Sequence, residues 1–234
     1  MEHKRLTLFA GHYGSGKTNI AVNYAISLAK AGKKVCIGDL DIVNPYFRTK
    51  DSAKELEDAG VTLISPQFAN TNVDLPALPA EAYRLVEDKS IYGIMDIGGD
   101  DRGAYALGRY VPAIKAENDY RMIFVANCYR PLTRTPEEAL EVMREIEAAC
   151  HLQFTDLINN ANLGTETTPE TVLAAEVFMH KLSEYSGLPI FAHTAVAEIA
   201  AQLQGRLEPV LPMKLQKKYF DLPSQKPGNR PLWG

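Results

Sequence analysis

Short apolar runs alternate with longer segments of helical periodicity along most of the chain, the pattern of βαβ units laid on a parallel sheet covered on both faces. Seven runs read as strands: Leu6–Ala10, Lys34–Gly38, Val61–Ser65, Tyr92–Ile97, Arg121–Ala126, Asp156–Asn160 and Pro189–His193, each rich in Val, Ile, Leu or Phe. Between the first two, Ile20, Ala21, Tyr24, Ala25, Leu28 and Ala29 recur at helical spacing, and Gly32 stands where a left-handed cap closes a helix. Thr135-Pro136-Glu137-Glu138 and Thr168-Pro169-Glu170 each place a capping hydroxyl before a proline with acid in the first turn, so both open helices. The expected architecture is α/β: a mostly parallel central sheet of about seven strands flanked by helices on both faces, in a single domain.

Two stretches depart from the alternation. Ser65–Ala80 contains Pro66, Pro76 and Pro79 and is long for a connection in a compact domain, a length usually found in functional loops. From residue 209 onward lie five of the 14 prolines and five Lys or Arg against Asp221 alone, so 209–234 reads as a Pro-rich basic tail after a domain spanning 1–208. No internal repeat or low-complexity tract is visible.

Composition narrows the class. Of 234 residues, 46% are apolar and 23% charged, which excludes disordered and fibrous chains. The net charge of -4 supplies no general attraction for nucleic acid or an anionic membrane, and without the tail the remainder sums to -8. Nucleic-acid and membrane partners are therefore disfavoured, and Val210–Phe220, interrupted by Pro212, is a poor interfacial anchor and better read as a packed arm. Cys36, Cys128 and Cys150 are odd in number and far apart, which fits a reducing, cytoplasmic setting without disulfides. The run Leu6–Ala10 is too short for a signal-peptide core, and nothing approaches the ~18 apolar residues of a membrane span. The five histidines show no metal-ligand spacing.

The chemistry lies in Gly11-His12-Tyr13-Gly14-Ser15-Gly16-Lys17-Thr18, a G-x-x-x-x-G-K-T run placed between a strand and a helix. Glycines let successive backbone N–H groups turn inward on phosphate, Lys17 reaches the β- and γ-phosphates, and Thr18 ligates magnesium. Gly11 to Thr18, with the adjoining Asn19, are the candidate nucleotide contacts. Ile94-Met95-Asp96-Ile97-Gly98-Gly99 ends a buried strand in a D-x-x-G spacing that offers Asp96 to the magnesium shell and the Gly99 amide to the γ-phosphate. Asp39-Leu40-Asp41 ends the strand after the first helix, and a period of two turns both carboxylates to the same side, one for a metal-bound water and one for the attacking water.

With these three motifs in this order, residues 5–200 resemble the SIMIBI-class P-loop ATPases, specifically the ParA/MinD branch with its nitrogenase-iron-protein and cobyrinate-synthetase relatives. The resemblance implies a P-loop NTPase fold centred on the loop-bearing strand, ATP and Mg2+ as cofactors, and catalysis by Lys17 with Asp41 positioning the hydrolytic water and Asp39 supporting the switch. It also implies that Asp96 joins Thr18 and Asp41 around the metal, and that Asn160, at the end of the sixth strand, touches adenine. No N-K-x-D guanine run is present. In the family a signature lysine at the second loop position crosses a homodimer interface to the partner's nucleotide; here His12 occupies that position and Tyr13 replaces the following glycine. An imidazole is not a permanent cation at neutral pH, so any homodimer lacks that charge. Arg48, Arg102 and Arg109, in or after the two switch regions, are candidate sources of transition-state charge. Cys128 has no companion in any iron–sulfur spacing, which argues against a reductase, and Cys36 and Cys150 read as packing residues.

Three functions fit: a magnesium-dependent ATPase acting as a nucleotide-driven switch, an ATP-dependent synthetase or kinase of the dethiobiotin- or cobyrinate-synthetase type with Ser65–Ala80 as its lid, and a nucleotide-binding module that does not hydrolyse. ATP and ADP are the expected ligands, with a protein partner or a small-molecule substrate completing the function.

Overall fold

The computed structural model describes residues 3–40, 49–65, 80–99 and 101–216, and eight strands form one sheet in the order β3-β2-β4-β1-β5-β6-β7-β8. They are β1 (Leu6–Ala10), β2 (Val35–Leu40), β3 (Thr62–Ile64), β4 (Tyr92–Ile97), β5 (Tyr120–Ala126), β6 (Asp156–Asn159), β7 (Ile190–Val196) and β8 (Val210–Met213). Every neighbouring pair is parallel.

Burial of both faces explains why these strands read as unbroken apolar runs. On one face Leu6, Leu8, Met95, Met122 and Phe124 share a cluster; on the other Phe9, Ile37, Ile94, Ile123 and Val125 share a second. Helix α1 (Lys17–Lys30) covers the second face through Ile20, Ala21, Tyr24, Ala25 and Leu28, joined by Leu56 of α2 (Ala53–Asp58). The first face is covered by α3 (Arg84–Glu87), α4 (Asp101–Gly108), α5 (Val111–Glu117), α6 (Pro136–Cys150) and α8 (Glu176–Ser186). Short α7 (Pro169–Ala174) and α9 (Ala197–Leu203) close a small cluster with Val172, Ala195 and Leu203 at its centre. Both expected threonine starts are present: Thr135 and Thr168 accept from Glu138 N and Thr171 N in reciprocal capping boxes.

The eighth strand lies in the stretch that composition assigned to a tail, so the sheet runs past residue 208, with His193↔Val210 to Val196↔Met213 in register. Pro212 sits in the edge strand, where the missing N–H breaks no ladder. The chain then runs along α1: Lys214 N donates to Asn23 Oδ1 at 2.9 Å, Asn23 Nδ2 donates back to Lys214 O at 2.9 Å, and Gln216 N donates to Asn19 Oδ1 at 3.0 Å. The same strap reaches the helical turn Thr49–Ser52 and α2, through Gln216 Nε2 to Ser52 Oγ at 2.7 Å and Lys214 Nζ to Glu55 at 2.6 Å.

At the amino ends of the central strands, just before β1, Arg5 is 7% exposed and its guanidinium pairs with both Glu117 oxygens while donating to Leu85 O at 3.0 Å and Ile91 O at 3.3 Å. Cys36 and Cys150 are buried packing residues, and burial pushes the Cys36 thiol up to about 11. Among the described residues no helix is long and apolar enough to cross a membrane.

Candidate functional site: the loop at the carboxyl ends of β1, β2 and β4

The chain leaves β1 at Ala10 and turns through Gly11–Gly16 into α1, with Gly11, Gly14 and Gly16 at φ +153°, +75° and +91°. Gly16 is the N-terminal cap residue, and its backbone is left-handed, which a side chain resists. No side chain caps α1 and no acid lies in its first turn, unlike the capping boxes of α6 and α7. The amides of this first turn are thus left for an external anion, aided by the positive end of the helix. Lys17 and Thr18 are 4% and 7% exposed, and Ser15 Oγ is buried without a hydrogen-bond partner. A buried hydroxyl with nothing to bind fits a pocket built for phosphate oxygens.

Asp39 and Asp96 lie directly opposite one another in the β2–β4 ladder, 2% and 0% exposed, on the α1 face shared by Ile37 and Ile94. Neighbouring strands lie only about 4.8 Å apart, so two carboxylates there need hydrogen bonds or a cation to offset their desolvation and repulsion. One such bond comes from Thr49 Oγ1, which donates to Asp96 Oδ2 at 3.0 Å. Among the described residues no group of three or more His, Cys, Asp or Glu forms a metal cage. A shell of one hydroxyl, few carboxylates, water and phosphate oxygens suits magnesium, which seldom uses an all-protein cage.

Gly99 brings the D-x-x-G segment onto the loop. A Cβ there would lie 2.8 Å from Lys17 Nζ, 2.8 Å from Tyr13 N and 3.1 Å from Gly11 O. Motifs more than 80 residues apart in sequence therefore meet in one place, at the carboxyl edge of the sheet where β1, β2 and β4 end.

The remaining candidates distribute as follows. His12 points its Nδ1 at Tyr13 O, 3.0 Å away, and Tyr13 is 54% exposed. Asn19 is held by the strap, and Asn160 is seated on the loop: Nδ2 donates to Ser15 O at 2.5 Å and Oδ1 accepts from Thr194 Oγ1 at 2.6 Å. Arg109 is exposed at the end of α4. Asp41, Arg48, the Arg102 side chain, residues 66–79 and the tail from 217 fall outside the described residues. Three residues had no sequence signal: Thr49, Thr194 and Arg130, whose side chain lies beside Gly14.

The CobQ/CobB/MinD/ParA nucleotide binding domain model matches residues 6–163, more than half of the chain. Among solved structures, the cell division protein FtsY of Thermotoga maritima superposes with a TM-score of 0.56 at 18% identity, over 81% of this chain and 60% of that one. Chloroplast FtsY of Physcomitrella patens gives 0.53 at 17% identity over 81% and 58%, and FtsY of Mycoplasma mycoides 0.53 at 16% over 80% and 58%. At these identities the likeness is one of fold, and the chain spans about 60% of the length of those proteins. No curated protein matches the chain by sequence.

Proposed function

Because the chain belongs to the CobQ/CobB/MinD/ParA nucleotide-binding family, we infer that it is a magnesium-dependent ATPase whose bound nucleotide works a conformational switch. The observation that carries this reading is the seating of Gly99 against Lys17 and Tyr13 N, which couples the segment after Asp96 to whatever fills the loop. A γ-phosphate meeting the Gly99 amide pulls on β4 and α4, and its loss releases them; that is the chemistry of a switch.

In this reading the loop amides from Gly11 to Thr18 and Lys17 hold the phosphates, with Asn19 continuing the same helix turn. Thr18, Asp96 and Asp41 would hold a magnesium ion, which would supply charge neutralisation for the bound phosphates. Asp41 orients the attacking water, and Asp39 supports the switch. Adenine is favoured because the chain contains no N-K-x-D run. Asn160, one amide hydrogen of which is on Ser15 O, is the polar group offered to the base.

ATP turnover measured with and without magnesium, beside Lys17→Ala and Asp41→Asn, tests the reading. Lys17→Ala should abolish nucleotide binding, and Asp41→Asn should retain binding while slowing hydrolysis. Unchanged ATP affinity in Lys17→Ala overturns the loop assignment. Turnover that appears only with an added small-molecule acceptor replaces the switch by phosphoryl transfer, and tight binding without turnover under any condition replaces it by a non-hydrolysing module.

A further inference from the structure

Arg130 has no role in the motifs above, yet among the described residues the fold brings its side chain against the loop. Strand β5 pairs with β1, so the turn after β5 lies beside the loop after β1. A Cβ on Gly14 would stand 3.9 Å from Arg130 Cδ and 4.0 Å from its Nε. The guanidinium stem thus packs against the face of the loop that Gly14 leaves bare.

The turn holding Arg130 is firmly built. Asn127 is fully buried and its Oδ1 accepts from Tyr129 N at 3.1 Å, while its carbonyl accepts from Arg130 N at 3.1 Å and Thr133 Oγ1 at 2.9 Å. Tyr129 Oη donates to Thr171 O at 2.9 Å, anchoring the turn to α7. Leu132 adopts φ +63°, a conformation that a branched side chain takes only when its surroundings impose it. The backbone that carries Arg130 is thus held in place beside the loop.

What it approaches is incomplete. Its Nε is buried with no hydrogen-bond partner, and among the described residues no carboxylate pairs with it. An arginine cannot shed its proton, so a buried guanidinium N–H without an acceptor is costly until an anion arrives. The loop itself offers Lys17 as its one permanent cation, since position 12 is a histidine turned toward Tyr13 O. A planar guanidinium is matched to phosphate oxygens.

We propose that Arg130 is the second permanent cation of the phosphate site and binds the phosphates of the nucleotide held at Gly11–Thr18. The proposal rests on the nucleotide reading of that loop. It places the charge in cis, from the β5 turn.

Calorimetric titration of ADP and a non-hydrolysable ATP analogue into wild type, Arg130→Gln, Arg130→Lys and Lys17→Ala tests it, with thermal unfolding of each nucleotide-free protein alongside. Arg130→Gln should weaken nucleotide binding about 10- to 100-fold, as expected for one charge-assisted hydrogen-bond pair. Its nucleotide-free unfolding midpoint should be unchanged or higher, because a buried N–H without an acceptor has been removed. Arg130→Lys, which keeps the charge and loses the planar fork, should fall between the two. Wild-type affinity in Arg130→Gln, with Lys17→Ala still unable to bind, overturns the proposal and leaves the loop assignment standing; so does a lowered midpoint with unchanged affinity. If Arg130→Gln does not fold, wild-type affinity in Arg130→Lys overturns the need for a guanidinium. Full binding by Lys17→Ala removes the nucleotide reading and the proposal with it.

Discussion

Adding a single methyl at Gly99 tests whether the two halves of the site communicate. The backbone there is not left-handed, so Gly99→Ala strains no dihedral and its effect is purely steric. The new Cβ would meet Tyr13 N and Lys17 Nζ at 2.8 Å and Gly11 O at 3.1 Å. Lys17 can swing its ammonium aside, but Tyr13 N and Gly11 O are backbone, so the loop or the segment after β4 must shift. Overpacking of this kind costs about 1–3 kcal/mol. A lost charge-assisted contact from a displaced Lys17 would cost nucleotide binding about 1.5–3 kcal/mol, or roughly 10- to 150-fold in affinity. Gly108→Ala is the matched control: a Cβ there meets nothing within 4 Å, and α4 gains helix propensity. The assay is thermal unfolding with and without nucleotide, followed by titration of ATP and ADP. Gly99→Ala should lose most of the nucleotide-induced stabilisation while Gly108→Ala keeps all of it. Wild-type nucleotide affinity in Gly99→Ala would refute the argument that this glycine transmits the state of the loop.

Burial pushes the Glu117 carboxyl up, but hydrogen bonds and charge from Arg5 and Lys89 outweigh it, so the net shift is below the ordinary 4.5. Its stabilisation is therefore complete above that ordinary value and lost as pH falls through the depressed one; Glu117→Gln should cost on the order of 3 kcal/mol at neutral pH and flatten the acid limb of the unfolding curve. A stability profile parallel to wild type at all pH values would exclude that role. Asn160→Ala should lower stability by about 1–2 kcal/mol through the bonds to Ser15 O and Thr194 Oγ1. Asn160→Asp should weaken nucleotide binding further than the alanine, because a carboxylate then faces the Ser15 carbonyl and the phosphates; equal affinities in titration would contradict this. His12→Lys should strengthen dimerisation with a non-hydrolysable ATP analogue, read by sedimentation velocity, and no gain means that the loop does not face a partner's nucleotide.

The sequence was most legible where burial on both faces leaves an uninterrupted apolar run. Strands β1 and β4 begin and end at the residues expected, Leu6–Ala10 and Tyr92–Ile97. It was least legible where polar residues are buried with partners that only the fold supplies. Strand β7 continues through His193 and Thr194 to Val196 because His193 meets Glu176 at 3.1 Å and Thr194 meets Asn159 O at 3.2 Å. Strand β8 was masked by Pro212 and by its basic surroundings, and only its edge position makes that proline acceptable. The same limit applies to the site. Parity along β2 and β4 foretells that Asp39 and Asp96 share the α1 face, but Thr49 on Asp96, Thr194 on Asn160 and Arg130 on Gly14 depend on which strands are neighbours.

The strap of residues 214–216 along α1 carries a consequence for the order in which the molecule is assembled. Gln216 and Asn19 are 197 residues apart. Closing a free loop of that length costs about 4–5 kcal/mol in chain entropy, which the strap's five side-chain bonds, at roughly 1 kcal/mol each, do no more than offset. The strap therefore gains nothing by forming alone, and it forms readily once β8 has paired with β7 and the ends are already neighbours. On a ribosome the helix carrying the loop keeps its Asn19 and Asn23 side chains in water until nearly all the described chain has emerged. In the finished protein the order reverses: the strap, held by a few side-chain bonds, lifts before the central sheet opens. Its release also frees Ser52 and Glu55, so the amides of Lys214 and Gln216 should exchange with solvent well before those of the central strands, and the turn that holds Thr49 on Asp96 should loosen with them.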